Sequence, residues 1–350
     1  MIKPRASANR ASPALVPADN WPKLYMNSTP VDYRIRVVPS SWWPKRRSFS
    51  HDGLLYSDDV TLESADAVLA LYDPTEELLQ FKGPKLWYTY EPMWHPHFRR
   101  HPVGKELVRR LQPSEWVYFS NPDPAHRVAH ITWGNELTKQ RVKSALRDAA
   151  VACVTNFGGR YWFLKKHIWL RNKMLLHGKV ELFGRKAAWT QFRHFPEVWR
   201  CGVPGNYCGE PTGNHMDDHF LEFLAGYKVC LCFENSTEPY YFTEKFVNAV
   251  RAGCIPVYHA HATVTTNFLK GAKWVDPADH GFNPKRTVDY ALAANQREFQ
   301  QANDAWLDSG VLDATGYLGF WNRLHSLMKA KLTKEAPVPM SAEKCRSFAN

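Results

Sequence analysis

The chain is 350 residues long, with 44% hydrophobic and 23% charged residues, enough for two average domains and for a sizeable buried core. Those proportions exclude the disordered, collagen-like and disulfide-scaffold classes. Lysine and arginine number 45 against 34 acidic residues, a formal charge of +11, so a phosphate-bearing ligand, a polyanion or an acidic membrane surface is the expected kind of partner. No run of 18 apolar residues occurs, and no spanning helix is expected. The first twenty residues are polar and lack the apolar core of a secretory signal, which makes the cytoplasm the expected compartment. Seven scattered cysteines, an odd number, suit reduced thiols better than a disulfide framework.

In chain order, residues 1–25 read as a disordered arm, 26–150 as a first domain, 151–330 as a second and 331–350 as a tail, with proline-rich sequence already at Ala336-Pro337-Val338-Pro339. The first domain holds β-rich runs at 33–38, 67–71 and 86–90, with a helix near 105–111. The second alternates more regularly. Residues 150–154 read as a strand, 161–176 as a basic amphipathic helix, and 179–183 as a strand ended by Gly184. A helix at 217–226 leads into the apolar run 227–233, a strand buried on both faces on which Cys230 and Cys232 share a side. A helix at 244–252 closed by Gly253 and a strand at 254–258 follow. Such alternation means parallel βαβ units, which take ligands at the carboxyl ends of their strands, here Glu234-Asn235 and His259.

The segment richest in chemistry is Phe233-Glu234-Asn235-Ser236, followed by Tyr241-Phe242-Thr243-Glu244-Lys245 and Asn248-Ala249. Polar groups leave a buried strand and re-enter at a helix start, where Thr243 stands near the N-cap. The first-turn N–H groups and the helix dipole suit an anion such as a diphosphate. Lys245 adds a mobile charge that would neutralise a leaving group. The same residues also read as an ordinary capped helix with a surface Glu-Lys pair. Another pattern, Cys201, Cys208, His215 and His219, ends in a one-turn histidine spacing that zinc sites use, but its first interval is longer than a zinc knuckle's, and loop thiols account for it better. No Asp-x-Asp for a divalent ion is present. No nucleic-acid motif accompanies the basic clusters at 42–47 and 98–101, so nucleic acid is not an expected partner.

The stretch from Tyr227 through Glu234-Asn235-Ser236, Thr243-Glu244-Lys245 and Ile255-Pro256-Val257-Tyr258 resembles the donor-binding signature of the α-1,3/1,4-fucosyltransferases, glycosyltransferase family 10. That resemblance implies a GT-B fold, α/β, with two Rossmann-like domains facing across a cleft. It also implies inverting transfer of L-fucose from GDP-fucose to a hydroxyl of an oligosaccharide or glycolipid acceptor, in α-1,3 or α-1,4 linkage to GlcNAc or Glc. On this basis 26–150 would bind the acceptor and 151–330 the donor. Lys245 would bind the diphosphate and Glu244 the ribose or fucose hydroxyls, while Thr243, Tyr241 and Asn235 line the donor pocket. A phosphate-clamping arginine is implied as well, and Arg160 and Arg171 both remain candidates. Glu91, ending the aromatic run Leu86-Trp87-Tyr88-Thr89-Tyr90, is the implied general base, and Pro92 directly after it departs from the family's pattern. A second departure is His259-Ala260-His261, where the family has a glycine close to Tyr258, and it leaves open another GDP-linked sugar. No cofactor is expected, a divalent metal being at most stimulatory. Peripheral contact with the inner face of a membrane is compatible with the charge. A rival reading from another class, a basic protein that binds polyanions or membrane surfaces, explains the charge but none of the Asn235-to-Lys245 spacing.

Overall fold

The computed structural model describes residues 30–38, 48–71, 73–89, 101–112, 115–118, 141–142, 148–154, 166–184, 204–213, 218–237, 239, 241–310 and 317–334. They divide between two compact units, the second drawn from 118–323 and the first from residues up to 117 together with 324 onward.

The first unit starts with strand β1 (Tyr33–Val38), whose Ile35, Val37 and Val38 are buried. Strands β2 (Ser48–His51) and β3 (Leu54–Ser57) form an antiparallel hairpin across Asp52 and Gly53, both with positive φ, the backbone a two-residue Asp-Gly turn requires. At φ 81, Gly53 takes a conformation that a residue with a Cβ adopts only under strain. Strand β4 (Ala67–Leu71) is buried along its whole length. Helix α1 (Glu76–Gln80) is capped by Thr75 and tied to β1 by the Arg36–Glu77 ion pair at 3.0 Å. Strand β5 (Lys85–Thr89), helix α2 (Pro102–Arg110, with proline in its first turn) and strand β6 (Trp116–Tyr118) complete the run. The sheet order is β2-β3-β1-β4-β5-β6, and β1 pairs in parallel with both β3 and β4, as β4 does with β5.

The second unit contains β7 (Ala150–Val154), α3 (Lys166–Leu175), β8 (Val180–Gly184), β9 (Tyr207–Gly209), α4 (Asp218–Ala225), β10 (Val229–Leu231), α5 (Glu244–Arg251) and β11 (Ile255–Val257). After them come α6 (Ala262–Asn267), a 3₁₀ turn (Pro277–His280), α7 (Pro284–Ala293) and α8 (Gln296–Asp308). Its sheet is parallel in every described pairing, in the order β11-β10-β7-β8-β9. Counted along the chain this is 5-4-1-2-3, the Rossmann order, with the switch point between β7 and β10. Side chains alternate between two cores. Val229, Leu231 and Phe233 enter one with Met174 of α3 and Val288 of α7, while Cys230 and Cys232 enter the other with Phe246 of α5 and Leu224 of α4. The expectation of a strand buried on both faces therefore holds, and its cysteines do share a side.

Differences from the sequence expectations are local. The run 227–233 is regular strand only over Val229–Leu231. Cys232 N–H still donates to Val257 O at 3.1 Å, and beyond it the chain leaves the ladder. Helix α5 ends at Arg251 with Gly253 just past it at φ 72. Of the helix expected at 161–176, the described part is Lys166–Leu175. Helix α9 (Tyr317–Thr333) runs past the expected start of the tail at 331, and from Leu324 it belongs to the first unit. There Leu324, Leu327 and Met328 are buried, Tyr56 Oη meets His325 Nδ1 at 3.2 Å, and Lys329 pairs with Asp52 in the hairpin turn. Each unit is thus a mainly parallel α/β sheet of the type a GT-B fold is built from. The arm at 1–25 lies outside the described residues.

Candidate functional site

Beyond the carboxyl end of β10 the chain carries Glu234 into the interior, where its side chain has no solvent exposure. A buried carboxylate survives only when its lone pairs are filled. Here Oε1 accepts from Thr243 N–H at 2.8 Å and from the Tyr258 hydroxyl at 3.0 Å, and Oε2 accepts from the Thr243 hydroxyl at 2.6 Å. Glu234 therefore fastens the end of β10 to the start of α5 and the end of β11. Burial raises its pKa, against the opposing effects of Lys245 and the Thr243 bonds. Burial beside that carboxylate pushes the Tyr258 phenol well above its ordinary range.

Thr243 sits at the N-cap position of α5, yet its hydroxyl does not cap the helix. It donates to Glu234 and accepts from Lys245 Nζ at 2.9 Å. Lys245 Nζ also donates to Glu244 Oε1 at 3.2 Å and stands 3.5 Å from Glu234 Oε2, its side chain 25% exposed. Burial works against that ammonium, but Glu244 and Glu234 outweigh it and hold its pKa above the ordinary value. Lys245 is accordingly a fixed, charged donor at a helix N-terminus, where the dipole also favours an anion.

Arg171 comes from α3, on the other side of the switch point. It is buried, with Nη1 donating to the Glu234 carbonyl at 3.3 Å and to Asn235 Oδ1 at 3.2 Å, and Nε donating to Asn172 Oδ1 at 3.4 Å. Nη2 has no hydrogen-bond partner among the described residues. Burial lowers its pKa to about 10, with Tyr241 and Glu234 opposing, so the guanidinium stays charged at neutral pH. A buried cation with an unmet donor is expensive unless an acceptor arrives. Arg171 also lines a small, solvent-open pocket with Phe233, Glu234, Thr237, His259 and Phe282. In the pocket wall His259 Nδ1 lies 2.8 Å from Asp276 Oδ1, whereas His261 caps α6 by accepting from Thr263 N–H at 3.2 Å.

Of the residues singled out by sequence, Asn235, Thr243, Glu244, Lys245 and Arg171 are thus connected through Glu234. Tyr241 is buried and close enough to act on the Arg171 charge. Arg160 and Glu91 lie outside the described residues, as do Cys201 and His215. Cys208 is exposed on β9, and His219 pairs with Glu222 at 3.3 Å. Sequence reasoning gave no site role to Tyr258, which it read only as part of the signature, nor to Asn172, Asp276 and Phe282. Tyr258 and Asn172 stand beside residues it had marked, but nothing in their types announces the bonds they make.

An α/β unit in Rossmann strand order, with a buried arginine and a helix-start lysine on opposite sides of its switch point, is built like an anion- and nucleotide-binding domain. Residues 171–304, which hold nearly all of this site, match the model of the glycosyltransferase family 10 (fucosyltransferase) C-terminal domain. The similarity covers this segment, somewhat more than a third of the chain. Over 114 residues the chain is 32% identical to alpha-(1,3)-fucosyltransferase 7 from Bos taurus, covering 32% of this chain and 25% of that protein. The match therefore spans about a quarter of the relative's length. Among solved structures, a crystal structure of alpha1,3-fucosyltransferase is similar with a TM-score of 0.42 and 14% identity, over 90% of this chain and 95% of that one. Another, of alpha1,3-fucosyltransferase with GDP-fucose, gives a TM-score of 0.36 and 16% identity over 92% and 91%.

Proposed function

We propose that the protein is an inverting fucosyltransferase that takes L-fucose from GDP-fucose and places it on a hydroxyl of a glycan acceptor. The observation that carries this reading is the presence, inside the segment that matches the family, of Arg171, whose Nη2 has no hydrogen-bond partner among the described residues, and of Lys245, held by Glu244, Glu234 and Thr243. In the reaction the acceptor oxygen attacks the anomeric carbon as the bond from that carbon to the β-phosphate oxygen breaks. The hydroxyl proton passes to Glu91, and the charge gathering on the departing GDP is met by Arg171 and Lys245, an arrangement most valuable where water is scarce. The two cations and the helix N-terminus would do the work a divalent ion does in metal-dependent transferases, so no metal is required in this scheme. The α-1,3 or α-1,4 linkage, the GlcNAc or Glc acceptor and a peripheral cytoplasmic location belong to the same proposal.

The test is calorimetric titration of the whole chain with GDP, GDP-fucose, GDP-mannose and UDP-glucose, with and without chelator, followed by transfer assays on two variants. Binding of GDP and GDP-fucose that ignores chelator is expected. Glu91→Gln should abolish transfer with GDP binding nearly intact, and Lys245→Ala should weaken both about tenfold or more. Preference for GDP-mannose would replace fucose as the sugar, retained turnover in Glu91→Gln would remove that residue from the mechanism, and absence of nucleotide binding would end the reading.

A further inference from the structure

The departure at His259 becomes informative once its surroundings are known. The ring is fixed at three levels. Asp276 holds Nδ1 at 2.8 Å, and Asp276 is itself fixed because the same Oδ1 accepts from Ala278 N–H at 2.9 Å at the start of the 3₁₀ turn. Phe282 stands edge-on to the imidazole, centroids 4.9 Å apart at 89°. Phe282 adopts φ 54, directly after Gly281 at φ 63. A bulky residue in the left-handed region is costly and persists only where its surroundings enforce it, and such strain gathers at ligand sites. Here Pro277 O, accepting from Phe282 N–H at 2.8 Å, helps enforce it, and the result is a phenyl ring in the wall of the pocket that also holds Arg171.

An ionised carboxylate only accepts, so the bond to Asp276 places the proton of neutral His259 on Nδ1 and leaves Nε2 as a hydrogen-bond acceptor. The imidazole side chain is 27% exposed, which leaves it accessible to a ligand. Around it the pocket is largely apolar, through Leu170, Met174, Phe233 and Phe282. A hexose presents hydroxyls in every direction and would leave several unmet against such walls. A flat heterocycle presents apolar faces and one polar edge, which suits them. Arg171, a wall of the same pocket, would face the phosphate to which that heterocycle is joined.

We propose that His259 is a specificity residue for the nucleobase of the donor, its Nε2 accepting a hydrogen bond from a ring N–H of the base, with Asp276 as the positioning residue that sets the tautomer. This rests on the donor reading above and assigns the nucleoside end of that donor to this pocket. The test titrates GDP and inorganic pyrophosphate into the whole chain and into His259→Phe, His259→Gln and Asp276→Asn, with melting temperatures recorded alongside. Expected for His259→Phe is a loss of GDP affinity of about tenfold or more with pyrophosphate binding unchanged. His259→Gln, which keeps an acceptor, should recover to within about threefold of the parent, and Asp276→Asn should fall between the two for GDP alone. GDP binding unaltered in His259→Phe, with the parent binding GDP, overturns the assignment and leaves the donor reading standing. Parallel loss of GDP and pyrophosphate in both folded His259 variants overturns it as well, because the histidine would then serve the phosphates or the frame of the site. If the parent chain binds no GDP, the donor reading itself fails and takes this assignment with it.

Discussion

At the scale of single residues, Glu234 holds three elements in register, through two bonds from Thr243 and one from Tyr258. Removing one partner of a buried ionic network leaves the others unmet, which costs more than the pair contributed. Glu234→Ala is therefore expected to lower unfolding free energy by about 3 kcal/mol in urea titrations, with Glu234→Gln losing less. A loss below about 1 kcal/mol would mean that water replaces the carboxylate and that the hub is dispensable. This role shows why the site was only partly legible in sequence. The order of Asn235, Thr243, Glu244 and Lys245 marked the location, because polar residues between a buried strand and a helix start are conspicuous. Which carboxylate faces inward and which outward was not, since Glu234 and Glu244 are the same residue type and burial alone separates them. Arg171 and Arg160 were equally indistinguishable on a basic stretch, and it is the bond to Asn235 that gives Arg171 its place.

At the scale of elements, runs such as Ala67–Leu71 and Ala150–Val154 were legible because continuous apolar sequence of strand length has few other uses. The hairpin Ser48–His51 and Leu54–Ser57 was not recognised. Its first strand, Ser-Phe-Ser-His, is only partly buried, although Asp52-Gly53 between the two strands is a strong turn signal. Strand Tyr207–Gly209 is too short to leave any pattern. Pairing order was illegible throughout, as alternation says which face is buried and nothing about the neighbour. The hairpin has its own energetics. Burial, with the nearby His51 reinforcing it, lowers the His325 pKa to about 4, while Asp52 opposes the shift. Relative to the ordinary 6.5, the unfolded chain takes the proton first, so the stability His325 contributes is whole above pH 6.5 and drains away as pH falls toward 4. The full change is about 3 kcal/mol, of which about 2 is gone by pH 5. Urea titrations at pH 7.5 and 5 should show this difference, and His325→Gln should flatten it. An unchanged slope in that variant would place the acid sensitivity elsewhere.

At the scale of the whole molecule, the division into units does not follow the sequence in two blocks. Helix α9 returns Leu324, Leu327 and Met328 to the first unit, so the second unit is an insertion within the first. Deleting residues from 324 onward should uncover the apolar surface those side chains bury, leaving the first sheet susceptible to protease while the second stays resistant. Limited proteolysis followed by mass spectrometry of the fragments would show it, and equal resistance of both units would make the helix an accessory. The same connectivity also sets an order in time. As the chain leaves the ribosome, the first unit emerges without its closing helix, whereas every described strand of the second is available before that helix is made. The later unit is thus placed to reach its native state ahead of the earlier one, and the nascent first sheet depends on protection until helix α9 has been synthesised.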